Sequence, residues 1–113
     1  MSTSSDISTV EERRKEMVRV ARHILDGSIG IVAGARKITR LRFPSRADKD
    51  NEILVFVGID SESDHLPIGD VRQHWSADAL KAKDAELQAY EARVRERAFR
   101  ACQSLIARYE HVA

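Results

Sequence analysis

From Ala77 to Glu110 the chain contains neither glycine nor proline, and its residues are mostly strong helix formers. Ser76 stands where an N-cap belongs, and Asp78 falls in the first turn, where a carboxylate complements the helix dipole. Leu80, Leu87, Val94 and Ala101 recur every seven residues, with Tyr90, Ala98, Leu105 and Tyr109 alongside. One helix over this stretch is roughly 50 Å long at ~1.5 Å per residue. That exceeds the width of a globule built from 113 residues. Part of it must project, bend or pack against a second copy. We expect a homodimer contact at Leu87, Tyr90 and Val94, edged by Glu91, Arg93 and Arg97. The competing use of the same stripe is a core seam for the earlier helices.

The rest of the chain can supply those helices. Ser8 with Glu11, or Thr9 with Glu12, fits a capping box that opens a helix from about Ser8 to Leu25. Val10, Met17, Val20, Ala21 and Ile24 give it one apolar face, and Gly27 is a plausible stop. A second helix is expected from Ser28 to about Arg42, closed before Pro44, with Ile31, Ala35, Ile38 and Leu41 sharing a face. Gly30 and Gly34 weaken that helix unless their smooth side admits another helix closely. The run Ile53-Leu-Val-Phe-Val-Gly-Ile59 reads locally as a buried strand. No partner strand is evident, and an unpaired buried strand leaves its backbone unsatisfied. A short buried helix started by Asp48 or Asp50 is therefore favoured, and another from Pro67 to Trp75.

The expected architecture is all-α: a small helical bundle with a long C-terminal helix, the alternative being α+β with a short strand at 53–59. Residues 1–7 are expected to be a flexible N-terminus and 8–113 a single helical domain. Charged residues make up 33% and apolar ones 42%, a balance suited to a compact chain with much solvated surface. A lone cysteine, Cys102, allows no internal disulfide and lies on the apolar side of the long helix, where packing is its expected role. No apolar run reaches membrane-spanning length and no leader-like start is evident, so a cytoplasmic location is expected.

The net charge of +1 hides an uneven layout. Residues 36–49 carry six basic side chains, Arg36, Lys37, Arg40, Arg42, Arg46 and Lys49, against one acid, Asp48. Residues 50–71 carry six acids, Asp50, Glu52, Asp60, Glu62, Asp64 and Asp70, with no Lys or Arg. The two blocks are expected to screen each other within the fold; the sharper reading turns the acidic half toward a basic partner. The densest chemistry lies in 60–75, Asp60-Ser-Glu-Ser-Asp-His-Leu-Pro-Ile-Gly-Asp-Val-Arg-Gln-His-Trp75. Asp60, Glu62, Asp64, His65, Arg72, His74 and Trp75 are its candidate binding residues. Trp75 is expected chiefly as a core anchor at the start of the long helix, with an interface hot spot as its other use.

Motif tests exclude more than they admit. Gly27-Ser-Ile-Gly-Ile-Val-Ala-Gly-Ala-Arg-Lys lacks the Gly-Lys-Ser/Thr ending of a phosphate loop. A calcium loop opening at Asp60 needs Gly at its sixth place and Glu at its twelfth, where this chain has His65 and Val71. A looser divalent site from Asp60, Glu62, Asp64 and His65 is conceivable, although Asp and Ser also cap helices and nucleate turns. Ser61 or Ser63 with His65 offers triad ingredients without a nucleophile elbow. The basic cluster at 36–49 sits in no recognised nucleic-acid module, so no nucleic-acid partner is expected.

The run Ile59-Asp-Ser-Glu-Ser-Asp-His-Leu-Pro-Ile-Gly-Asp-Val-Arg-Gln-His-Trp-Ser, with Ile24-Leu-Asp-Gly-Ser-Ile-Gly-Ile-Val-Ala-Gly-Ala-Arg upstream, resembles a family of small bacterial proteins of unassigned function. Their shared core is Ile-Asp-Ser-Glu-x-Asp-x-Leu-Pro-x-Gly with a downstream Arg and Trp. The likeness covers about residues 17–108. It implies a single helical domain with Asp60, Glu62, Asp64, Pro67, Arg72 and Trp75 as characteristic positions, and it implies no reaction. Two function classes follow. One is a non-enzymatic protein-binding module, immunity- or antitoxin-like, that offers the acidic loop to a protein partner and needs no cofactor or membrane. The other is a metal-dependent enzyme or regulator using the Asp/Glu/His loop.

Overall fold

The computed structural model describes residues 2–110, with side chains described from Thr9 onward. Met1 and the last three residues, where the expected domain ends, lie outside the described residues. Among the described residues four α-helices follow one another: α1 (Ser2–Asp26), α2 (Ile31–Leu41), α3 (Asn51–Glu62) and α4 (Ala77–Tyr109), with a 3-10 turn at Gly69–His74 before α4. No strand occurs among the described residues, and 53–59 lies inside α3, so the strand alternative falls. No helix among them is long and apolar enough to cross a membrane.

The helices close into a ring in which each packs on its chain neighbour and α1 returns onto α4. Their shared core holds Met17, Ala21 and Ile24 from α1, Val32, Ala35 and Ile38 from α2, Ile53, Phe56 and Ile59 from α3, and Ala98, Cys102 and Leu105 from α4. α3 is apolar nearly all round, which strand propensity alone would misread. Its backbone groups bond within the helix, so it can pack between α2 and α4 with no partner strand.

Several boundaries differ from those the sequence signals set. α1 begins at Ser2, so Ser8 and Thr9 lie inside the helix rather than capping it. No glycine or proline stands between Ser2 and Asp26 to stop it earlier. α2 begins at Ile31, leaving Gly30 as its extended N-cap. Gly34 makes the expected close approach: a methyl group there would overlap the Ile24 side chain of α1. Ser76 caps α4 as expected, its Oγ accepting from Ala79 N at 3.1 Å.

α4 runs the length of a molecule measuring 53 × 29 × 23 Å. Between Ala77 and Ala89 it buries no residue, so this half projects beyond the bundle. Its second half supplies the core seam. Tyr90 and Val94, expected at a dimer contact, are 7% and 6% exposed within this one chain. Leu87 packs partly against the same core. Of the edge residues, Glu91 accepts from Val32 N at 2.9 Å, Arg97 pairs with Glu62, and Arg93 lies 5.5 Å from the Tyr90 ring centre. The apolar seven-residue pattern is spent on the monomer.

Candidate functional site

Segment 60–75 lies along the projecting half of α4 and is fastened to it and to α2 at successive points. At the end of α3, Asp60 pairs with Arg36 of α2 at 3.5 Å. The same guanidinium donates to Ser63 O at 2.5 Å and Leu66 O at 3.0 Å. One half-buried arginine thereby collects carbonyls that the helix end and the turn leave without backbone partners. Ser63 is buried and its hydroxyl donates to Ile59 O at 2.6 Å, finishing α3.

Glu62 accepts from the Tyr90 hydroxyl at 2.6 Å and faces Arg97 at 3.5 Å. Burial, and then the Glu62 carboxylate, pushes the Tyr90 phenol well above its ordinary value. His65 Nε2 lies 2.5 Å from Glu86 Oε2, which Lys83 also approaches at 3.3 Å. The His65 bond holds the Glu86 carboxyl below its ordinary value. Further along, Arg72 forks onto Asp84 at 2.8 and 2.9 Å and donates to Pro67 O at 3.2 Å. That pairing lowers the Asp84 carboxyl and raises the guanidinium. Such a two-pronged pair fixes orientation as well as distance.

The expected site residues therefore divide. Asp60, Glu62, His65 and Arg72 are bonded to other parts of the chain, each to a different partner. Arg72 of the loop meets Asp84 of α4, and the loop's own Asp60 and Glu62 pair with Arg36 and Arg97. Asp64 and His74 are exposed, and Trp75, expected chiefly in the core, is 37% exposed. The 3-10 turn buries no residue, and Val71 within it is 52% exposed. A turn clamped at Arg72 cannot tuck both apolar neighbours beneath it, because the Arg72 side chain takes the face that meets α4.

Arg36, Asp84, Glu86, Tyr90 and Arg97 complete the network, and sequence reasoning did not find them. Their partners are distant in the chain, and no local spacing marks them. A cleft of about 630 Å³ lies between the loop and α4, lined by Glu62, His65, Glu86, Tyr90, Arg93 and Arg97 among others. A second polar cluster ties the start of α3 to the end of α4. There Arg108 bonds the buried Glu52 and lies 3.7 Å from Asp50, which also accepts from the Tyr109 hydroxyl. The triad ingredients do not assemble, since the Ser63 hydroxyl points back into α3 and His65 is engaged by Glu86. Among the described residues no group of three or more His, Cys, Asp or Glu is placed to hold a metal ion.

Charge screening between the two blocks is also less than expected. Arg36–Asp60 is the one ion pair joining 36–49 to 50–71 among the described residues. Asp50, Glu52 and Glu62 are paired with arginines of α4 instead. Compared with protein-family models, with curated proteins and with solved structures, the chain matches none of them.

Proposed function

We propose that this chain is a non-enzymatic protein-binding module, of the immunity or antitoxin-like kind, acting in the cytoplasm. Its contact surface is the outer face of segment 60–75. The observation that carries the reading is the exposed pair Val71 and Trp75 on a turn that Arg72 clamps to α4. Large apolar side chains held outward on a rigid support bind with little ordering cost, and tryptophan is among the strongest interface anchors. Asp64 and Asp70 of the segment and Asp78 just after it are exposed and unpaired within the described residues, which suits a partner with a basic rim. The likeness to small bacterial helical proteins fits the same reading, since its characteristic Arg72 and Trp75 are the clamp and the anchor.

The dispersal of Asp60, Glu62 and His65 onto separate partners gives the metal-dependent alternative no gathered ligand set. A homodimer, if the chain forms one, must use a surface other than Tyr90 and Val94.

A photo-crosslinking side chain at Val71, with one at exposed Gln103 as control, tests the proposal in the source organism. A protein captured from position 71 alone, and lost when Trp75→Ala and Asp70→Lys are added, is the expected result. Equal capture from both positions, or a melting temperature that rises with divalent ions and no position-specific capture, overturns it.

A further inference from the structure

A different surface stands at the other end of the molecule. α2 and the loop after it carry Lys37, Arg40, Arg42, Arg46 and Lys49 against Asp48. Lys37, Arg40, Arg46 and Lys49 have no ion pair or hydrogen-bond partner for their side chains among the described residues. Lys37 and Arg40, three apart on α2, share one exposed helix face. Among them stands Phe43, 62% exposed, the most exposed large apolar side chain described. The Arg42 guanidinium lies over its ring, 4.3 Å from the centre, and also donates to Thr39 O at the end of α2. Arg46 reverses the chain with φ 53°, and Arg14 of α1 donates to Ser45 O at 2.9 Å, so the loop is held in place. The result is a fixed aromatic ring, backed on one face by a guanidinium, in a field of unpaired cations.

We propose that this surface binds single-stranded nucleic acid, with Phe43 stacking on a base and the four unpaired cations on flanking phosphates. A phosphate-bearing partner follows from the charge, and arginine forks match phosphate oxygens. The strand follows from the ring. Stacking needs one open aromatic face beside cations, which is present. An anionic lipid surface would need a broader apolar face to insert, and from Lys37 to Asp50 only Phe43 is a large exposed apolar side chain. The inference reverses the expectation of no nucleic-acid partner. That expectation rested on the absence of a recognised nucleic-acid module around the cluster, whereas here an exposed ring stands among cations that make no ion pair.

The test is fluorescence anisotropy of a labelled twenty-nucleotide oligothymidylate with the full chain, titrated between 50 and 200 mM salt. Four phosphate contacts give a log–log salt slope of about −3, at ~0.7 per contact for a single strand. Phe43→Ala should weaken binding by roughly tenfold or more and leave that slope unchanged. Arg40→Gln with Arg46→Gln should reduce the slope by about 1.4. All three residues are exposed, and helicity by circular dichroism confirms that each variant is folded. The proposal is overturned by an absence of binding at 50 mM salt, or by an affinity indifferent to Phe43→Ala. It is overturned equally by binding to phosphatidylserine vesicles with none to the oligonucleotide.

Discussion

Replacing Arg36 of α2 by Met should unfasten segment 60–75 while keeping an apolar side chain of similar length there. The Arg36 guanidinium serves three acceptors at once, Asp60 at 3.5 Å and the carbonyls of Ser63 and Leu66 at 2.5 and 3.0 Å. A hydrogen bond to a charged group contributes about 1.5–3 kcal/mol, and removing one partner of a buried pair costs about 3–5 kcal/mol. The Asp60 side chain keeps 32% of its surface and the Arg36 side chain only 16%, so an orphaned Asp60 regains water while the two carbonyls do not. The lower end of those ranges applies, and the expected loss is about 3 kcal/mol. For a domain of this size that is a fall of roughly 12–15 °C in melting temperature. Arg36→Lys keeps the charge but not the fork and should recover less than half. Asp60→Asn, which spares the carbonyl bonds, should cost only about 1 kcal/mol. Urea unfolding followed by circular dichroism gives the three values. A loss below about 1 kcal/mol for Arg36→Met would refute the clamp.

Gly34→Ala should destabilise by about 1–3 kcal/mol despite alanine's better helix propensity, because the methyl meets Ile24, and Ile24→Val should restore part of the loss; neutral Gly34→Ala protein in the same unfolding assay would show that α1 and α2 have room to part. Glu91→Ala should cost about 1 kcal/mol, as for a lost N-cap, since the Glu91 carboxylate bonds Val32 N at the start of α2; unchanged stability would mean that water replaces it. Burial pushes the Cys102 thiol up to about 12 from an ordinary 9.0. A raised acid stabilises the fold fully below the lower value and loses that contribution as pH rises toward the higher one. A thiol reagent at pH 8 should therefore label Cys102 only in denaturant, and rapid labelling of native protein would contradict its burial. Asp84 and Glu86 are held below their ordinary 3.8 and 4.5 by Arg72 and His65. Their contribution is present above those values and fades as pH falls through the lower folded ones. The sole tryptophan, Trp75, should report loosening of the turn by fluorescence below about pH 4, before helicity is lost; coincident transitions would refute a separable clamp.

The chain determines its helices locally. The unbroken run from Ala77 to Glu110 with Ser76 as cap gave α4 to within a residue, and the missing strand partner was enough to read 53–59 as helix. The end of α1 near Gly27 and the end of α2 before Pro44 were legible for the same reason, since caps and breakers act over a few residues. The start of α1 was not, because a capping box can also occur inside a helix that nothing stops. What the charged residues do was decided only by tertiary structure. The spacing in 60–75 admitted metal binding, a triad or a contact surface. α2 and α4 then brought Arg36, Asp84, Glu86, Tyr90 and Arg97 to it from far along the chain. The same assembly turned Trp75 outward and spent the stripe at Tyr90 and Val94 on the core. A propensity belongs to a residue and its near neighbours, whereas the partner of a charge belongs to whatever the packed helices place beside it.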